Sequence, residues 1–125
     1  MILILDAHAL LWWLVDDPSL DRAARASIAD PANEVVVSAA TVWELEIKRA
    51  MGKLDAPAEL LQVLDAEAFD CLPILGEDAV QAARLPMHHR DPFDRMLLAQ
   101  AIRLDAVVVS RDIAFSAYDV AVLRA

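Results

Sequence analysis

Residues Met1–Asp6 read MILILD, a run of apolar side chains that stops at an acid. A run without polar alternation suits a strand covered on both faces, as in the middle of a parallel sheet. Val35–Val37, within Glu34–Ser38, and Val107–Val109, within Ala106–Val109, repeat the pattern with β-branched residues. Phe69–Ile74 reads as a shorter strand and Asp119–Leu123 as a last edge strand. Helical stretches separate them. Ala7–Val15 ends before Pro18, and a second helix, capped by Ser19, runs to about Ala29. Ala39–Met51 is stopped by Gly52, Ala58–Ala68 follows Pro57, and Glu77–Leu85 precedes Pro86. Pro92–Leu104 is the best marked helix, with Asp91 at the N-cap and Pro92 at the first helical position. Strand and helix alternate throughout, which predicts an α/β fold: a mostly parallel central sheet flanked by helices on both faces.

At 125 residues the chain suits one domain spanning 1–125, and no linker or internal repeat breaks it. Hydrophobic residues make up 58% and charged residues 25%, enough for a packed core and unlike a disordered chain. One Cys excludes an intramolecular disulfide. The apolar N-terminus lacks the basic region of a signal peptide, and no run reaches the ~20 residues needed to span a bilayer. The expected location is the cytoplasm, away from the membrane. A net charge of −9 excludes a uniformly basic nucleic-acid binder. It leaves open an enzyme that recruits cations to a few carboxylates. A mean hydropathy of +0.41 points to apolar surface that a second copy or another partner would cover.

Four acids stand out by position. Asp6 ends the first strand, Glu44 lies early in the helix after the valine strand, Asp94 lies in the first turn of the Pro92 helix, and Asp112 follows the Ala106–Val109 strand. Ligands of open parallel sheets bind beyond the carboxyl ends of the strands, where these acids would gather. Clustered carboxylates repel, and a hard divalent cation with oxygen ligands relieves the repulsion. Such an ion lowers the pKa of water and neutralises phosphate charge, which suits phosphodiester hydrolysis. Three of the acids also have a plainer reading. Asp94 favours a helix dipole, Glu44 pairs with Lys48 at i,i+4, and Asp112 caps a turn. Asp6 alone has no evident structural purpose.

Leu3–Leu14 (LILDAHALLWWL), Ser38–Lys48 (SAATVWELEIK), His88–Ala101 (HHRDPFDRMLLAQA) and Val107–Phe115 (VVVSRDIAF) resemble, in order, the four motifs of the PIN-domain family, in particular the VapC-type toxins. The third is the most specific, and Ser110 stands where the fourth commonly has Thr. The resemblance implies a three-layer α/β PIN-like fold and a ribonuclease dependent on Mg²⁺ or Mn²⁺. Asp6, Glu44, Asp94 and Asp112 would be the catalytic, metal-holding acids, and a metal-activated water would attack the RNA phosphorus. Asp112 would either ligate directly or shape the site. A homodimer and neutralisation by a cognate antitoxin are implied as well.

Supporting roles fall to fewer cues. Thr41 suits a helix cap or a bond to a carboxylate; Ser110 suits support of Asp6 or Asp112 or a plain turn. His8 lies two residues past Asp6 and suits a contact to substrate or a structural role. His88, His89, Arg90 and Arg95 form a local positive cluster suited to RNA phosphates or to nearby acids. On that basis, loss of Arg90 and Arg95 should weaken RNA binding more than loss of Lys53. Trp12, Trp13 and Trp43 read as core or interface residues, and Cys71 as a small core residue. A phospho-acceptor receiver domain is disfavoured, because Asp6 has no acidic neighbour and no lysine follows Lys53. A PIN fold kept only for binding, or a PIN nuclease outside a toxin pair, are the remaining alternatives.

Overall fold

A computed structural model describes residues 1–125. In chain order the elements are β1 (Ile2–Leu5), α1 (Ala7–Leu14), α2 (Arg22–Ala29), β2 (Glu34–Ser38), α3 (Ala39–Ala50), α4 (Leu60–Ala66), β3 (Asp70–Leu72), α5 (Gly76–Arg84), α6 (Pro92–Leu104), β4 (Val107–Ser110), a 3₁₀ turn (Ile113–Ala117) and β5 (Val122–Arg124). The strand order is β3-β2-β1-β4-β5, and every pairing is parallel. The expected sheet is thus parallel throughout.

The uniformly apolar strands feed two cores by alternation. Leu3, Leu5, Val35, Val37 and Val109 face one side, where Leu10 of α1, Ile28 of α2, Leu45 of α3 and Leu60 and Leu64 of α4 cover them. Ile4, Val36 and Val108 face the other, against Leu97, Leu98 and Ala101 of α6 and Phe115 of the 3₁₀ turn. Three layers result, because a strand buried on both faces needs helices on both. Each fully buried Leu or Val contributes roughly 1.5–3 kcal/mol, so the central strands anchor the loops at their carboxyl ends.

Several element ends differ from the sequence reading for local reasons. Asp21, not Ser19, caps α2 by accepting from the Ala23 N–H at 2.9 Å, while the Ser19 N–H donates to Asp17 at 2.8 Å. Ser38, not Thr41, caps α3 by accepting from Ala40 at 3.0 Å. Gly52 takes a φ of 69° just beyond α3, the left-handed conformation that suits glycine. Ala68 adopts φ 59° after α4, and β3 occupies only Asp70–Leu72 of the expected strand. The last strand starts later than expected, at Val122. Cys71 is exposed rather than core, since β3 is an edge strand. Trp43 is 62% exposed, and its ring meets Phe93 edge-on at 5.4 Å. No helix is long and apolar enough to cross a membrane.

Candidate active site

The strand order reverses between β1 and β4, and a crevice opens there at their carboxyl ends. It encloses about 240 Å³ and is lined by five acids (Asp6, Glu44, Asp91, Asp94 and Asp112), with Lys48, Arg111, His8 and His89 and one apolar residue, Ala7. The four acids singled out in the sequence therefore reach one cleft from four segments. β1 delivers Asp6, α3 Glu44, α6 Asp94 and the end of β4 Asp112.

Four of the five acids also perform a local task. Asp6 caps α1 with Oδ1, accepting from the Ala9 N–H at 2.9 Å, so the acid without evident structural purpose has one. Asp112 Oδ1 caps the 3₁₀ turn, accepting from Ala114 at 2.9 Å. Glu44 Oε2 accepts from Lys48 at 2.9 Å, the expected i,i+4 pair. Asp91 caps α6 by accepting from Phe93 at 2.8 Å and Asp94 at 3.4 Å. Capping and lining the cleft are compatible, because a carboxylate has a second oxygen.

The cleft is electrostatically unbalanced. Burial, then the neighbouring Asp91, with Asp6 and Glu44 adding to them, pushes Asp94 up to about 7, against the lowering pull of His89. Burial likewise raises Asp6 above the usual carboxylate range, although Ser110 and the Ala9 N–H bond to it and pull the other way. Carboxylate oxygens at this density are the donor set that Mg²⁺ and Mn²⁺ prefer. The residues present fit a divalent cation.

Ser110 is buried where it serves both acids: it hydrogen-bonds Asp6, and its Oγ accepts from the Asp112 N–H at 3.0 Å. Thr41 is buried in the first turn of α3. His8 is exposed on the rim, stacked on Trp12 at 5.8 Å. The Arg111 guanidinium also lies over the Trp12 ring, at 4.3 Å from its centroid, and donates to the carbonyls of Ala125 and Ser19. The expected positive cluster divides. Arg90 is exposed. Arg95 is buried, and its guanidinium donates to the carbonyls of Ala83, Leu85, Pro86 and His89. It is an internal brace, not a phosphate contact, because the side chain is buried and both its terminal nitrogens are spent on backbone carbonyls.

His89 was read from sequence only as part of that cluster. In the fold its Nε2 lies 2.9 Å from Asp94 Oδ2 and 3.0 Å from Asp112 Oδ2. The three atoms lie close enough together to surround an ion. No sequence pattern announces this, since α6 and the β4 end meet only through the fold.

A cation-accepting acidic cleft at the switch point of a parallel α/β sheet is the class this geometry defines. The PIN-domain family model matches residues 3–121, and the chain belongs to the PIN-domain family. PIN domains are, as a class, nucleases. In fold the chain is similar to the VapBC2 complex of Rickettsia felis bound to a promoter DNA fragment, with a TM-score of 0.71 and 14% identity over 98% of each chain. It is also similar to the DNA-bound VapBC of Salmonella typhimurium, at 0.70 and 16% identity over 98% of this chain and 97% of that one. FitAcB of Neisseria gonorrhoeae matches at 0.66 and 25% identity over 99% of this chain and 97% of that one. No curated protein sequence matches the chain.

Proposed function

We propose that this chain is a metal-dependent endoribonuclease and the toxin of a toxin–antitoxin pair, cutting RNA phosphodiesters at the acidic cleft. The observation that carries the reading is the convergence of Asp6, Glu44, Asp94 and Asp112 on one crevice, where burial and acidic neighbours push Asp94 up to about 7. Asp6, Glu44 and Asp94 would hold Mg²⁺ or Mn²⁺. Asp112, with one oxygen on Ala114 and the other beside His89, would shape the set from its edge. A bound divalent ion supplies neutralisation of phosphate charge and a lowered pKa for water. The chain's own residues do the rest. Ser110 keeps Asp6 and Asp112 oriented, and Lys48 fixes Glu44 by its ion pair. His8 and Arg111 stand on the rim, where an RNA phosphate would approach, and Arg90 adds charge outside it. At a net charge of −9, affinity for RNA rests on these local cations and falls steeply with salt.

The partner half of the reading is supported by the toxin–antitoxin complexes among the similar structures. Exposed apolar residues such as Met51, Leu61 and Val80 favour a homodimer and an antitoxin that cover them. The test is cleavage of a mixed RNA pool by antitoxin-free protein with Mg²⁺, with Mn²⁺ and with EDTA, beside Asp6→Asn. Asn keeps an oxygen to cap α1, so loss of cutting would report the charge and not the helix. Metal-dependent cutting lost in the variant is expected. No cutting with either metal would overturn the nuclease reading and leave a PIN fold used for binding.

A further inference from the structure

We infer that His89 is a positioning residue of the metal-holding set, whose Nε2–H lies between Asp94 and Asp112 and holds them in place, and that it is not a metal ligand. The inference rests on the reading of the cleft as a cation site and adds a role to it.

The ring's tautomer follows from its neighbours. The Asp91 N–H donates to Nδ1 at 3.3 Å. That occupies the Nδ1 lone pair and leaves Nε2 to carry the N–H that faces the cleft. A protonated nitrogen has no lone pair for a cation. It has a hydrogen to offer, and two acceptors stand before it, Asp94 Oδ2 at 2.9 Å and Asp112 Oδ2 at 3.0 Å. Nε2 is buried and completes a hydrogen bond with neither oxygen, though it stands within reach of both.

The ring has little freedom to turn away. The His89 N–H donates to Tyr118 Oη at 2.9 Å, and its carbonyl accepts from buried Arg95 at 3.1 Å. Its face meets Phe115 edge-on at 5.5 Å. The Asp91 that sets the tautomer is itself fixed as the cap of α6. One imidazole thus ties a carboxylate on a helix to one at a strand end, two groups that would otherwise repel. Donors of this kind around a metal set orient its ligands, and losing one costs about 10–100-fold in metal affinity.

Mn²⁺ binding by the full chain, followed by electron paramagnetic resonance, tests this with no reliance on activity. His89→Gln retains an N–H donor at similar reach; His89→Ala does not. The expected result is Mn²⁺ affinity about 10–100-fold weaker in His89→Ala and close to wild type in His89→Gln. Pulsed measurements should find no coordinated-nitrogen coupling in the wild type that His89→Gln removes. Such a coupling would make His89 a ligand and overturn the inference, even if His89→Ala failed to fold. Equal affinity in His89→Ala and wild type would also overturn it, as would a His89→Gln variant as weak as His89→Ala. In those cases metal-dependent RNA cutting by the wild type would leave the proposed function standing. A wild type that binds no Mn²⁺ would overturn both.

Discussion

Asp78 and Asp94 occupy the same place in neighbouring helices, the third residue of α5 and of α6. Both are withdrawn from solvent, yet they ionise oppositely. Burial alone would raise Asp78, but Arg103 grips it at 2.7 and 3.1 Å and the Leu75 N–H bonds it at 2.9 Å, so it is held below the usual carboxylate range. Burial raises Asp94 too, its carboxylate neighbours add to that and outweigh the pull of His89, and it rises to about 7. A helix start tolerates an acid in either case. One acid has been supplied with its cation by the fold, and the other has been left short of one. Asp78 is therefore structural, while Asp94 is where the proposed function puts an external cation.

The sharpest way to break this contrast is to neutralise each acid. Asp94→Asn should reduce RNA cleavage to background, whereas its melting temperature in EDTA at pH 8 should rise because a repulsive charge is gone. Asp78→Asn should do the opposite. Loss of the charged acceptor for Arg103 and for the Leu75 N–H should lower the urea midpoint, with cleavage per folded molecule unchanged. An Asp94→Asn protein that still cuts at the wild-type rate would end the assignment of the cleft.

The pH dependence sharpens it further. Unfolded Asp94 releases its proton near 3.8, while folded Asp94 keeps it to about 7. Between those values the folded state binds more protons. The stability Asp94 adds is therefore complete below pH 3.8 and fades as the pH climbs to about 7. Asp6, also raised, acts in the same sense. Asp78 runs the other way: its contribution is present above pH 3.8 and is lost as the pH falls through its lowered folded value. In EDTA, the wild type should melt ~3–6 °C higher at pH 5 than at pH 8. Asp94→Asn should flatten that slope, and excess Mn²⁺ should raise the melting temperature at pH 8 more than at pH 5. A slope that survives in Asp94→Asn would move the effect to other groups.

The contrast also explains what a sequence can disclose. The apolar runs Met1–Leu5 and Val35–Val37 expose their structure because burial on both faces leaves no polar position to disguise it. Asp91–Pro92 exposes a helix start because capping chemistry is local. The acids were visible at strand ends, though the capping by Asp6 was not, since that depends on where α1 begins. His89 and the Asp78–Arg103 pair stayed hidden because their partners lie 5 to 25 positions away. Cys71 departs from its core reading because its burial depends on which strand lies at the sheet edge.

The smallest effects should come from the two arginines that sequence placed together. Arg95 makes its hydrogen bonds inside the protein, to four backbone carbonyls, one of them that of His89. Arg95→Ala leaves those carbonyls without their charged donor, and should cost about 2–3 kcal/mol in denaturant unfolding. Arg90 is solvent-exposed and free of such duties. Arg90→Ala should leave stability within about 0.5 kcal/mol, weaken RNA binding modestly, and lower the salt slope of affinity by about 1. Were Arg95→Ala to leave unfolding untouched and lower the salt slope instead, its buried geometry would have to open in solution. The division between an internal brace and an outer cation would then fail.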